Sequence, residues 1–347
     1  MKLAELDTPA VICDLDLIEH NLRQMAARCQ EIGIPFLAHT KAHKIPELAH
    51  WQLRSGATSI ICQKIGEAEE MVAAGISDLL IPYNIVGDVK LERLARLARR
   101  ASITVAVDSE ATARGISNVA SAQDVSIDVL IEVDTGAARC GVQSPSEAVQ
   151  VARAVDEAPG IRFAGVMTYP SQIESGPILD AVVSELRGAG LPPERISGGG
   201  TGHEQVSKDI GCTETRSGSY IWEGMTRIKS SEDLSADRCP LRVLCTVISV
   251  PVPGRVIVDG GMKTFASYPP VPYGECVEHP GVRFSKMSVE HGTLHASDSS
   301  HNFTVGERLS MIPLHQEMCL NLHDYLYGYR GDEVEVVWSV AGRGKVA

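Results

Sequence analysis

No apolar run in this chain is long enough to span a bilayer; the longest, such as Leu79-Leu-Ile-Pro, end after a few residues. The opening segment, Met1-Lys-Leu-Ala-Glu-Leu-Asp, lacks the apolar centre of a signal peptide, so a cytoplasmic location is expected. The nine cysteines, at positions 13, 29, 62, 140, 212, 239, 245, 276 and 319, form no CxxC pair. Odd in number and scattered, they point to reduced thiols and away from a disulfide frame or a zinc ribbon. There is no basic run, and the formal net charge is -12. Nucleic acid and anionic membrane are therefore not expected as partners. No GxGxxG opens the first strand–helix unit, which tells against a dinucleotide site. Internal repeats, coiled coils and low-complexity tracts are also lacking.

What is present is a long alternation of short apolar strands and amphipathic helices. The 347 residues, 44% apolar and 22% charged, suit one large packed domain and a smaller one. The pattern predicts strands over 36–41, 58–63, 78–83, 103–108, 128–134, 162–169, 195–200 and 214–220. Helices are predicted over 46–53, 66–74, 89–99, 145–155 and 177–186. The helix at 89–99 sets Leu91, Leu94 and Leu97 on one stripe and arginines mostly on the other. Pro46 suits a helix start. Ser144-Pro-Ser-Glu is a fuller start signal, with Ser144 as cap, Pro145 at the first helical position and Glu147 completing a capping box.

Eight such units with short connections predict a parallel sheet closed into a (βα)8 TIM barrel, with an open doubly wound sheet as the alternative. Polar Ser230-Ser-Glu-Asp-Leu-Ser marks a domain boundary, giving a barrel over 14–229 and a β domain over 230–347. In the second part, strands are predicted over 242–251, 255–258, 292–295, 309–314, 325–329 and 333–340, with Arg330-Gly-Asp as a hairpin turn. No long helix fits there.

In a barrel, chemistry gathers at the C-terminal strand ends. Those ends read Lys41, Gln63, Tyr83, Asp108, Asp134, Tyr169, the glycine run 198–200 and Tyr220; the opposite ends show no such polar set. Lys41 lies in Ala38-His-Thr-Lys-Ala-His-Lys. A lysine partly desolvated beside another cation can lose its proton and attack an aldehyde; the competing reading is a solvated loop lysine. Ser197-Gly-Gly-Gly-Thr-Gly and Ser217-Gly-Ser-Tyr offer backbone amides and hydroxyls to a phosphate, with a short helix following the first run; the competing reading is a tight turn. Arg139, in Asp134-Thr-Gly-Ala-Ala-Arg-Cys-Gly, is either a cation for a phenolate oxygen or half of a structural Arg–Asp pair. In the second part, a strand would point His315 and Glu317 the same way, a pair suited to Mn²⁺, Mg²⁺ or Zn²⁺; the competing reading is an exposed polar strand.

Together these segments resemble the D-threonine aldolase and D-serine dehydratase family of pyridoxal-phosphate enzymes, which has the alanine-racemase-like (type III) fold. The resemblance runs through Leu6-Asp-Thr-Pro-Ala-Val, His39-Thr-Lys-Ala-His-Lys, Cys62-Gln-Lys-Ile-Gly-Glu-Ala-Glu, the Asp134 segment, Gly198-Gly-Gly-Thr, Gly218-Ser-Tyr, Val258-Asp-Gly-Gly, Glu290-His-Gly and Ala341-Gly-Arg-Gly. It implies pyridoxal 5'-phosphate as a Schiff base on Lys41, Arg139 at the cofactor's ring oxygen and Gln63 lining the site. Gly200, Thr201, Gly218, Ser219 and Tyr220 would hold the phosphate, with Tyr169 near the substrate. A divalent metal would sit at His315 and Glu317, Mn²⁺ or Mg²⁺ before Zn²⁺ because glutamate is a hard ligand. The N-terminal strand, within 1–13, would join the second domain, and the molecule would be a homodimer.

The chain departs from the family pattern in three places. Leu37-Ala38 stands where Arg-Pro is usual, Glu317 replaces the usual Cys or Asp, and Pro170-Ser-Gln-Ile-Glu-Ser carries no His shortly after Tyr169. The implied activity is cleavage of a β-hydroxy-D-amino acid to glycine and an aldehyde. The alternatives are a D-serine or 3-hydroxy-D-aspartate dehydratase, a racemase, and a non-catalytic pyridoxal-phosphate carrier.

Overall fold

A computed structural model describes residues 1–228, 235–267, 271–296 and 302–347. After a 3-10 turn at Leu3–Glu5 come β1 (Ala10–Asp14) and the helix Leu15–Ile32. Eight short strands follow: β2 (Phe36–His39), β3 (Ser59–Ile61), β4 (Asp78–Ile81), β5 (Ser102–Val107), β6 (Ile127–Glu132), β7 (Ile161–Met167), β8 (Arg195–Ser197) and β9 (Thr215–Ser217). The rest of the chain supplies β10 (Leu241–Val252), β11 (Arg255–Val258), β12 (Gly274–Cys276), β13 (Arg283–Met287), β14 (Gly292–His295), β15 (Arg308–Pro313), β16 (Tyr325–Arg330) and β17 (Glu333–Ser339). No helix among the described residues is long and apolar enough to cross a membrane.

The chain divides into two compact units. One comprises Met25–Lys41, Pro46–Gly218 and Lys345–Ala347; the other comprises Met1–Gln24, Ala42–Ile45 and Ser219–Gly344. The boundary expected at 229/230 lies outside the described residues.

In the first unit β2 to β9 are parallel, in the order β8-β7-β6-β5-β4-β3-β2-β9. The two edges meet. Gly198 N–H donates to Glu214 O at 2.9 Å, Arg216 N–H to Gly198 O at 3.1 Å and Gly200 N–H to Arg216 O at 2.9 Å. Such a ladder removes the sheet edge, so the barrel is realised and the open doubly wound sheet is not. Leu37, Ile61, Leu80, Ala106, Leu130, Ala164 and Met167 form a buried layer inside it. The interior is therefore a packed core, not a pore.

The helices form where the sequence signals them. Leu91, Leu94 and Leu97 are buried on the helix Asp88–Ala98. Ser144 Oγ accepts from Glu147 N–H, with Pro145 first in Pro145–Asp156. Glu147 reaches Gln143 N–H at 2.8 Å, so the box is displaced by one residue from its usual form. The N-terminal strand ends are not bare, contrary to expectation. Arg195 binds Glu214 and the Thr104 hydroxyl, and Arg162 forks onto Asp128 with a third bond to Glu194. These pairs join strands distant in sequence, which is why the strand starts did not reveal them.

The second unit holds a nine-stranded sheet, in the order β11-β14-β13-β12-β15-β10-β1-β16-β17. The N-terminal strand belongs to it: β1 pairs antiparallel with β10 and parallel with β16. Leu6, Ile12, Leu244 and Tyr329 bury themselves together there. The expected hairpin joins β16 and β17 through Gly331 and Asp332, with Gly331 at φ 58°, a region glycine enters at little cost. Beyond residue 230, the described helices have at most five residues.

Candidate active site

The rim residues read from the sequence all lie one to three positions beyond a barrel strand end. The predicted strands therefore ran too far. These residues leave the ladder at the mouth, where the chain turns away from its neighbours.

Lys41 follows β2 in a single 3-10 turn, Thr40–Ala42. Thr40 is fully buried and donates its hydroxyl to Ile61 O at 2.8 Å, which fixes the turn. The Lys41 backbone N–H faces His39 Nδ1 at 3.4 Å. Because that N–H can only donate, Nδ1 is the unprotonated nitrogen, and Nε2–H donates to Gln63 Oε1 at 3.1 Å. Burial, and then the charge of Lys41, hold His39 well below the usual imidazole range. Gln63 is braced in turn by its own N–H, which donates to Glu67 Oε2 at 2.8 Å. Lys41 is half-buried.

Other rim residues have different duties. Asp108 accepts from Gly141 N–H, and Asp134 from Gly136 and Ala138 N–H. Those backbone bonds, Gly136 first, hold the Asp134 carboxyl below its ordinary range. Both aspartates shape the loop after β6. The Arg–Asp pair considered for Arg139 does not form; Arg139 Nη2 contacts buried Glu132 at 3.1 Å. Its guanidinium lies 5.3 Å from the Tyr169 ring centroid, within reach of a cation–π contact. Tyr83 carries Lys64 Nζ over its ring at 3.8 Å.

Sequence reasoning missed Arg216, in the middle of β9. It is buried, with Nη1 on Ser197 O at 2.8 Å and on Ser197 Oγ at 2.7 Å, and Nη2 on Thr168 O at 2.6 Å. Burial pulls its pKa down to about 10, so it stays a cation at neutral pH. A charged residue inside a buried strand was the available signal.

The glycine run works differently from the expectation. The Gly198 and Gly200 amides close the barrel, and Gly199 N–H donates to Ser171 Oγ at 2.8 Å. Gly200 thus contributes its shape, at φ 123°, and not its N–H. Gly218 N–H donates to Thr201 Oγ1 at 3.1 Å, while Thr201 N–H has no partner among the described residues. A Cβ at Gly199 would come within 3.1 Å of the Arg216 guanidinium, and one at Gly198 within 2.6 Å of Ser171 Oγ. The chain then continues into the 3-10 turn Ser219–Ile221, in which Tyr220 is buried.

The metal pair needs a correction. His315 and Glu317 are not on a strand, because β15 ends at Pro313. His315 is the N-cap of the helix Gln316–Leu320, its Nδ1 accepting from Met318 N–H at 3.3 Å. Gln, Glu, Met and Leu are good helix formers, and Cys319 and Leu320 are buried, so a turn of helix prevails over an extended chain here. The shared face given by alternation is lost. Among the described residues no group of three or more His, Cys, Asp or Glu is arranged to hold a metal ion.

Comparison with known proteins places this geometry. The sequence profile described as "Alanine racemase, N-terminal domain" matches residues 13–225, and that described as "Putative serine dehydratase domain" matches residues 240–329. D-threonine aldolase of Arthrobacter sp. is 35% identical, covering 99% of this chain and 94% of that protein. 3-Hydroxy-D-aspartate aldolase of Paracoccus denitrificans (strain Pd 1222) is 32% identical, covering 99% and 94%. The chain belongs to the D-threonine aldolase and D-serine dehydratase family. The crystal structure of D-threonine aldolase from Filomicrobium marinum superposes with a TM-score of 0.93 at 34% identity, covering 100% of this chain and 98% of that one. The protein is thus a lyase of an alanine-racemase-like, pyridoxal-phosphate-using family. The barrel residues fit that cofactor: a half-buried amine at Lys41, cations at Arg139 and Arg216, and a glycine run, 198–200, where an added Cβ would press on Ser171, Arg216 or His203.

Proposed function

We propose that this lyase cleaves β-hydroxy-D-amino acids of the D-threonine type to glycine and an aldehyde, using pyridoxal phosphate and a divalent metal. The observation that carries the reading is the ring of strand ends around the barrel mouth, where Lys41, Gln63, Arg139, Tyr169, Thr201 and Gly218 all emerge. Likeness over the whole chain to two aldolases supports it.

When bound, the cofactor supplies an electron sink for the pair released at the substrate's Cα. Lys41 Nζ is the proposed point of attachment. The neutral His39, donating to Gln63, adds no second positive charge beside that amine. Arg139, held by Glu132, offers a fixed cation to an anionic oxygen and stacks against Tyr169, which stands at the substrate's side of the mouth. Thr201 offers an N–H to the phosphate, and Gly200 and Gly218 let the backbone come close. For Ser219 and Tyr220 the assignment to the phosphate rests on the motif alone. His315 and Glu317 are donors of suitable chemistry for Mn²⁺ or Mg²⁺, with Zn²⁺ a softer choice, and the ion would supply positive charge for the β-oxygen. A homodimer belongs to the same proposal, by likeness to the family.

A dehydratase is the second reading, favoured by the serine dehydratase profile over residues 240–329. There Lys41 would take the α-proton and the β-hydroxyl would leave as water, with the metal assisting its departure; water would then hydrolyse the resulting enamine to a keto acid and ammonia. The deciding experiment incubates the protein with D-threonine, D-serine and D-threo-3-hydroxyaspartate, with and without Mn²⁺, and assays glycine and keto acid separately. Glycine with aldehyde is the expected result. Keto acid without glycine would establish the dehydratase, and neither product would leave a racemase or a carrier. Borohydride reduction of the loaded protein should fix the label on Lys41; a label on Lys44 or Lys64 would move the site.

A further inference from the structure

Glu204 has no part in the chemistry above, yet its carboxylate is 1% exposed. Oε1 accepts from Gly202 N–H at 2.8 Å and from the Ser217 hydroxyl at 2.9 Å. Oε2 lies 3.4 Å from Arg28 Nε, an ion pair without hydrogen-bond geometry. Gly202 directly follows Thr201, and Ser217 directly precedes Gly218. The loop after β8 and the end of β9 are therefore joined twice, by Thr201 Oγ1 to Gly218 N–H and by Glu204 to both neighbours.

A buried carboxylate is costly unless its lone pairs are filled, and an apolar residue would fill the same space without that cost. What an apolar residue cannot do is accept two hydrogen bonds from two different segments. Arg28 offsets the negative charge, so the carboxylate does not leave an uncompensated anion beside a phosphate. Without Glu204 the Gly202 N–H loses its acceptor, leaving the His203 N–H bond to Gly200 O at 3.0 Å to hold the turn, and glycine adds little backbone restraint of its own. The Thr201 N–H, one peptide away, would then lose its direction.

We propose that Glu204 is the positioning residue of the phosphate cup, setting the Thr201–Gly202 and Ser217–Gly218 peptides in the arrangement that selects a phosphorylated cofactor. The proposal rests on the reading of this mouth as a pyridoxal-phosphate site. It predicts a split between two ligands that differ only in the phosphate. Apo forms of the wild type, Glu204→Ala and Glu204→Gln are titrated spectrophotometrically with pyridoxal phosphate and with pyridoxal.

Glu204→Ala should weaken pyridoxal phosphate about tenfold or more, the scale of a charge-assisted hydrogen bond, while pyridoxal moves by less than about twofold. Glu204→Gln keeps an acceptor oxygen for both contacts and should recover most of the affinity. If Glu204→Ala does not fold, Ser217→Ala, which removes one of the two contacts, should show the same split at about threefold. Equal weakening of both ligands would make Glu204 merely structural and overturn the proposal, as would unchanged binding of both. A wild type that binds neither ligand would overturn the site reading itself, a result distinct from either.

Discussion

His39 shows how a single side chain joins the site to the stability of the protein. In the folded chain burial and the Lys41 charge keep its imidazole neutral, whereas unfolded it titrates near 6.5. Below that pH the unfolded chain binds a proton that the folded one does not, so stability falls as pH falls from 6.5 toward the depressed folded value. The loss approaches about 1.4 kcal/mol per pH unit for a fully suppressed proton. Urea unfolding of apo wild type and His39→Gln at pH 7, 6 and 5 measures it. The variant should lose less stability over that range, and parallel losses would show that His39 does not carry the acid sensitivity. The histidine itself was visible in the sequence beside Lys41, but its neutrality was not, because that depends on Gln63 and on burial. Arg216 was hidden for the same reason. Its partners are Ser197, at the end of β8, and Thr168, just past β7, and only the closed barrel brings them to it.

At the scale of elements, periodicity located the barrel strands and missed where they stop. Phe36, Leu37 and Ala38 are buried in the ladder, but Thr40 and Lys41 belong to a turn that Ile61 O holds. A three-residue window such as His315 to Glu317 has no period to read, and a capping bond decided its shape. That cap gives a test separating helix stability from metal binding. Asparagine is among the best N-cap residues, whereas alanine loses the acceptor at a cost of about 1 kcal/mol. His315→Asn should therefore keep the wild-type melting temperature and His315→Ala should lower it. A capping bond alone would let His315→Asn retain any metal response. A ligand role removes that response in both variants. Equal melting of all three proteins would mean the Met318 N–H bond does not support the helix.

For the whole molecule, the barrel was legible because it repeats one unit eight times, each carrying the same alternation and the same polar end. The nine-stranded sheet was less so: β12, Gly274–Cys276, gives too few residues for alternation to register, and β13 has an irregular register between Phe284 and Lys286 that breaks its alternation. The metal proposal bears on how the molecule divides its tasks. The buried apolar clusters of the two units include neither His315 nor Glu317, and the helix after His315 is capped by a protein bond. An ion held by two side chains contributes little to folding and is weak enough for a chelator to remove. EDTA should thus abolish cleavage of β-hydroxy-D-amino acids while leaving the melting temperature and the visible absorbance of bound cofactor unchanged, and Mn²⁺ should restore activity. A fall in melting temperature with EDTA would assign the ion a structural task. Full turnover in EDTA would take the ion out of the reaction and leave cleavage to the barrel site alone.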